Sequence, residues 1–155
     1  MPPAKEYLVT AIVSTYASER FIRGAMEDLV AQTIFPRTEV LVIDSASPEG
    51  EGEIVGEYAR RYPENVFYHR TPRREPLYAS WNRAIRMAKG KYLTSANADD
   101  RHSPDAFELL SGALEPSRTS SASASMRWAG RSRETHGRLL VWLQLCLSLL
   151  TAAIA

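Results

Sequence analysis

Asp99 and Asp100 stand side by side at the end of the stretch Asn97-Ala98-Asp99-Asp100. Paired carboxylates offer hard oxygen ligands of the kind Mg²⁺ or Mn²⁺ prefers. One or two protein carboxylates suffice when a diphosphate supplies the remaining oxygens. The ion would then neutralise charge building on a departing diphosphate. The plainer alternative is a pair of loop residues, with Asp favoured close to a helix start. Because the stretch directly follows a predicted strand, the ligand reading is preferred. Asp44 closes a second apolar run. Its carboxylate could accept hydrogen bonds from a base or ribose, or it could open an Asx-turn into the Ser/Pro/Gly loop behind it. From that residue alone the two readings weigh equally. Tyr16 could stack on a base or pack over the helix that follows. Arg70, Arg73 and Arg74 form a short basic cluster that could reach a diphosphate or base, although such clusters are usually solvated loops.

Several chemistries are excluded. The sequence holds neither G-x-G-x-x-G nor G-x-x-x-x-G-K-[ST], which argues against a dinucleotide oxidoreductase or P-loop NTPase. It has no G-x-S-x-G elbow for a hydrolase. His69 and His102 lack Cys or His partners at metal spacing. The net charge is +1 and no basic block is long enough for a nucleic-acid footprint. The single cysteine, Cys146, lies in an apolar run and reads as a buried thiol. Met-Pro-Pro-Ala-Lys-Glu at the start lacks the basic and apolar regions of a signal peptide, so a cytoplasmic location is expected.

The elements that must position these residues alternate. At 155 residues, one domain with a real core is expected. Residues 8–13 form a nearly continuous apolar run, as in a strand covered on both faces. Ser18 reads as an N-cap, with Phe21, Ile22, Ala25, Met26, Leu29 and Val30 on one helical stripe. Residues 39–43 predict the second strand. A second helix carries Ile54, Val55, Tyr58, Ala59 and Tyr62 and ends at Pro63. Residues 66–68 predict the third strand. Trp81, Ala84, Ile85 and Ala88 mark a third helix, stopped at Gly90 in a C′ position. Residues 92–95 predict the fourth strand, and Ser103-Pro104 opens a helix with Phe107, Leu110 and Leu114 facing inward. This alternation predicts an α/β fold with a mainly parallel sheet and helices on both faces. Ligands of such sheets bind outside the carboxyl ends of the strands. That rule selects three loops: Ser14-Thr15-Tyr16, Asp44 to Ser47, and Asn97 to Asp100.

Past Glu115-Pro116 the character changes. Residues 116–138 are rich in Ser, Ala and Arg without sustained period and read as a disordered linker. Residues 139–155 are apolar apart from Gln144, Ser148 and Thr151, and predict a C-terminal helix. At ~1.5 Å per residue it would be about 25 Å long, near the lower limit for spanning a bilayer. Arg131, Arg133 and Arg138 precede it, as on a cytoplasmic flank.

Together these pieces resemble the family-2 glycosyltransferases of GT-A fold. The stretches that carry the resemblance are Val13-Ser14-Thr15-Tyr16, Ala31-Gln32-Thr33, Val42 to Ser47, Asn82-Arg83-Ala84-Ile85, Ala88 to Tyr92 and Asn97 to Asp100. The resemblance implies a Rossmann-like nucleotide-sugar-binding half-domain over residues 7–115, with strand order 3-2-1-4. It implies inverting transfer from a nucleoside diphosphate-sugar, UDP-linked as the first choice, with Mn²⁺ or Mg²⁺ as cofactor. By it, Ser14, Thr15, Tyr16, Asp44, Asn82, Asn97, Ala98 and Asp99 would bind the donor. Asp99 would hold the metal at the Asp-x-Asp position, with Asp100 the second candidate. Asn97 stands where the family's first Asp is usual, Ser45 replaces a second Asp, and Ser14 replaces a proline.

The acceptor half of the family is not recognisable after Pro116, and no catalytic residue is assigned. Inverting transfer needs a general base on the acceptor hydroxyl. Glu115 and Glu134, the only carboxylates beyond Glu108, are not read as that base. The acceptor, whether glycan, lipid or protein, stays open. The alternatives to an active transferase are a truncated, inactive nucleotide-binding fragment and a membrane-attached scaffold. For the tail, out-of-frame reading of a GC-rich gene is the preferred origin. A membrane anchor on the cytoplasmic face is the rival.

Overall fold

The computed structural model describes residues 5–114. Four strands, β1 (Val9–Thr15), β2 (Thr38–Asp44), β3 (Val66–Arg70) and β4 (Tyr92–Ser95), form one sheet. All pairings are parallel and the order is β3-β2-β1-β4. Helices α1 (Glu19–Val30), α2 (Glu51–Arg61) and α3 (Leu77–Met87) fill the crossovers, and α4 (Ala106–Leu114) follows β4. The expected order and helical cover on both faces are both found.

The strands are apolar on both faces because both faces are covered. Val9, Ala11, Val13, Val40 and Val42 point to one side and pack with Ile22, Met26 and Leu29 of α1, Val55 of α2 and Phe107 of α4. Ile12, Leu41 and Ile43, one residue out of step, point to the other side and meet Trp81, Ala84 and Ile85 of α3. The chain therefore lays α1 and α2 on one face, then crosses from β3 past β2 and β1 to β4 with α3 on the other. The reversal falls between β1 and β4, and a crevice opens at that point above the strand ends.

Three details depart from the sequence reading. Gly90 is not a left-handed helix cap: α3 ends at Met87, and among the described residues no glycine has positive φ. Glycine is needed there for proximity, since a Cβ would lie 2.5 Å from the Thr10 backbone nitrogen. Leu110 and Leu114 are not buried; each is 38% exposed along a shallow groove beside the edge strand β4, while Phe107 alone enters the core. Phe21 leaves the buried stripe of α1 and is 40% exposed, because it turns into the crevice instead. The linker over 116–138 and the apolar helix over 139–155 lie outside the described residues. Among those described, no helix is long and apolar enough to cross a membrane.

Candidate functional site

The crevice at the reversal point holds about 760 Å³. Ser14, Thr15 and Tyr16 enter it from the end of β1, and Asn97, Ala98 and Asp99 from the loop after β4. Six of the eight expected donor-site residues thus share one cavity. Ser18, Phe21, Ser45, Arg74, Glu75, Pro76, Leu77 and Trp81 complete its wall. Leu77 and Trp81 lie one turn apart on α3, so they present a common apolar surface. They escaped the sequence reading because their helical spacing is also that of core residues.

Asn82 and Asp44 do not line the crevice. Asn82 follows Trp81 on α3 but is exposed on another side of the helix. Asp44 ends β2 directly opposite Thr15 in register, on the same sheet edge as Asp99, yet its side chain is fully buried. Its Oδ1 accepts the Ser47 N–H at 2.7 Å. Its Oδ2 accepts the Tyr68 hydroxyl and, at 2.7 Å, Nη1 of Arg70. The turn-forming alternative for Asp44 describes this geometry, in which both carboxylate oxygens are engaged by protein donors.

Tyr16 is 36% exposed at the mouth. The Arg74 guanidinium lies 4.0 Å from the centre of its ring, a cation–π stack. Ser45, buried beside Tyr16, accepts the Glu75 N–H at 2.6 Å and donates to the Glu75 carbonyl at 2.9 Å. That pair clamps the loop bearing Arg74 to the end of β2.

Asp99 and Asp100 are exposed. Asp99 faces the crevice, whereas Asp100 accepts Nδ2 of Asn97 at 2.9 Å and caps its own turn. Among the described residues, no three His, Cys, Asp or Glu side chains converge to hold an ion by themselves. Of the two carboxylates in the cavity wall, Glu75 is paired with Arg83, and oxygen donors with the exposed Asp99 carboxylate fit a divalent cation whose coordination is shared with a bound diphosphate. His102 is half-buried against Phe107, and burial pushes its imidazole below the usual range despite Asp100 and Asp28 nearby.

Beneath Tyr16 lies a residue the sequence reading passed over. Glu51, at the first turn of α2, is fully buried. Its Oε1 accepts the Ser18 N–H at 2.7 Å, the Ser47 hydroxyl at 2.8 Å and the Thr15 hydroxyl at 3.4 Å. Burial works to raise this carboxyl, but hydrogen bonds from Ser18, its own N–H, Ser47 and Thr15 outweigh it and hold the group below its ordinary value. Ala17 and Ala46, in the two loops this knot joins, have φ of 51° and 52°. For a non-glycine residue that left-handed conformation costs roughly 1–2 kcal/mol. Nothing in the sequence flags it, since Ala carries no turn signal.

The sequence model of Glycosyl transferase family 2 matches residues 10–145. An uncharacterised glycosyltransferase of Mycoplasma genitalium is 28% identical over 109 residues, covering 70% of this chain and 36% of that protein. The mannosyltransferase PcManGT of Pyrobaculum calidifontis, solved with GDP-Man and Mn²⁺, superposes with a TM-score of 0.61 at 26% identity over 72% of this chain and 32% of its own. S. aureus TarS 1–349 in complex with UDP-GlcNAc gives 0.59 at 26% identity, over 69% and 30%. The chain spans about a third of the length of these proteins.

Proposed function

Because the chain belongs to Glycosyl transferase family 2, we propose that its crevice binds the nucleoside diphosphate part of an activated sugar, with a divalent cation, for transfer of the sugar to an acceptor. The observation that carries this reading is the convergence of Tyr16, Arg74, Asn97 and Asp99 on one cavity at the strand-order reversal. The Tyr16 ring offers a stacking platform for the base. Ser14 and Asn97 offer hydroxyl and amide groups to the base and ribose, while Thr15 lines the wall with its hydroxyl turned to Glu51. Arg74 offers charge to the phosphates, and Asp99 an oxygen ligand for Mn²⁺ or Mg²⁺. When bound, the cation would draw negative charge off the leaving diphosphate. Support for a nucleotide-sugar comes from the similar structures solved with GDP-Man and UDP-GlcNAc. UDP is the first donor to test and GDP the second.

Titration calorimetry of the chain with UDP or GDP, with and without Mn²⁺, tests the reading. The parent should bind one of them with cation-dependent affinity. Asp99→Ala should abolish the cation dependence with little change in melting temperature, since the side chain is exposed. Undiminished cation-dependent binding by Asp99→Ala would remove Asp99 from the site. Absence of any nucleotide binding by the parent would overturn the function.

A further inference from the structure

Two loops wall the crevice, and each passes through a left-handed alanine; the Ser47 N–H bond to Asp44 turns the second loop, and nothing comparable turns the first at Ala17. The loop after β1 passes through Ala17 at φ 51°, and the loop after β2 through Ala46 at φ 52°. Both residues lack the side-chain hydrogen bonds by which Asn or Asp tolerate that region. What opposes their relaxation is a polar knot. The Ala17 N–H donates to Oγ of Ser47 at 3.0 Å, the Ser47 hydroxyl donates to Oε1 of Glu51 at 2.8 Å, and the Ser18 N–H reaches the same oxygen at 2.7 Å. Thr15 also turns its hydroxyl toward that oxygen, at 3.4 Å. Oε2 of Glu51 is buried without a hydrogen-bond partner, a costly arrangement that leaves Oε1 to carry the bonds to the two loops.

We propose that Glu51 is a positioning residue for donor binding, a buried latch that keeps Ala17 and Ala46 left-handed and so holds Tyr16 at the crevice. Glu51 touches neither the cavity nor a ligand; it acts through the Thr15–Ser18 loop. The proposal rests on the donor reading for its consequence, while the latch itself is independent of any nucleotide.

The test uses the full chain with Glu51→Ala, and Glu51→Gln as the shape-conserving second variant. Hydrogen exchange of the Ala17 and Ser18 amides should accelerate at least about tenfold in Glu51→Ala. Affinity for UDP or GDP with Mn²⁺ should fall about tenfold, comparable to the cost of one left-handed alanine. Adding Ala17→Gly and Ala46→Gly should restore most of that affinity, because glycine takes this conformation without the latch. A merely structural role would lower the melting temperature without that rescue. Unchanged exchange at Ala17 and Ser18 in both Glu51 variants overturns the latch. So does affinity equal to the parent's in the folded variants. If the parent binds neither nucleotide, the donor reading fails, and the exchange arm alone then decides the latch.

Discussion

Arg101 grips Asp28 with two hydrogen bonds, Nε at 2.6 Å and Nη2 at 2.8 Å, and so fastens the turn that follows Asp99 to the last turn of α1. The His102 N–H adds a third bond to the same carboxylate at 3.0 Å. Asp28 is mostly buried and Arg101 mostly exposed, with side-chain exposures of 14% and 71%. Solvent therefore screens the charge, and the pair's value lies more in geometry than in stability.

Asp28→Asn should accordingly lower the melting temperature by only a few degrees while weakening cation-dependent nucleotide binding. The Arg101 hydrogen bonds, partly opposed by burial and helped by His102, hold the Asp28 carboxyl below its ordinary value of 3.8. A group depressed on folding contributes stability that is fully present above its unfolded value and lost as pH falls through the folded one. Melts taken between about pH 5 and about pH 3 should thus show a steeper decline in the parent than in Asp28→Asn. Parallel declines would show that Asp28 is not a source of the acid sensitivity.

Gly90 offers a test of the fold alone. An added Cβ would sit 2.5 Å from the Thr10 nitrogen and 2.7 Å from the Val9 carbonyl carbon, both backbone atoms that cannot swing aside. The same contact carries a buried relay, in which the Gly90 N–H donates to the Thr10 hydroxyl at 2.8 Å and that hydroxyl donates to Glu39 at 2.6 Å. Gly90→Ala should cost about 1–3 kcal/mol through overpacking, read as a lower midpoint in urea. A midpoint equal to the parent's would mean that the strand and the α3–β4 loop lie farther apart than described.

How much of this was legible beforehand follows from what sequence patterns encode. Apolar runs such as residues 39–43 announce strands covered on both sides, and the alternation with helices fixes a parallel sheet and the edge where ligands gather. Ser14, Thr15, Tyr16, Asn97, Ala98 and Asp99 follow from that edge. Side-chain direction does not. Asp44 and Thr15 are register partners, yet one carboxylate turns down to Tyr68 and Arg70 while its neighbour lines the cavity. Phe21, Leu77 and Trp81 obey a helical period that is silent about whether the covered face meets a core or a crevice. Glu51 was invisible because a glutamate in the first turn of a helix is ordinarily a solvated partner of the helix dipole.

Arg74 poses two opposed effects on the crevice. Stacked on Tyr16, it occupies the ring face a base would take, yet its charge favours a diphosphate. Arg74→Ala should therefore weaken UDP binding by about tenfold, the scale of one lost charged hydrogen bond. Uridine binding should be unchanged or tighter. Titrating both ligands against both proteins separates the effects. Equal weakening of uridine and UDP would make Arg74 part of the base platform and not a phosphate ligand.

Asp44 can be tested for building the site as against touching a ligand. Its carboxylate is fully buried and serves the Ser47 N–H, the Tyr68 hydroxyl and Arg70. Hydrogen bonding to Asp44 also raises the Tyr68 hydroxyl above its ordinary value, after burial, which is the larger cause. Removing the acceptor leaves at least two donors unsatisfied, at about 1–3 kcal/mol for each buried group. Arg70 can recover by turning to solvent, since its side chain is 47% exposed. Asp44→Ala should then lose about 3 kcal/mol and, at roughly 4–8 °C per kcal/mol for a domain of this size, melt more than about 10 °C below the parent. Asp44→Asn should fall between the two, because its amide oxygen can still accept from Ser47 while its NH₂ opposes the Arg70 and Tyr68 donors. Tyr68→Phe in the Asp44→Ala background should add little further loss, the sign of a shared interaction. A variant Asp44→Ala that melts like the parent but no longer binds nucleotide would reverse the assignment and put this carboxylate on the ribose.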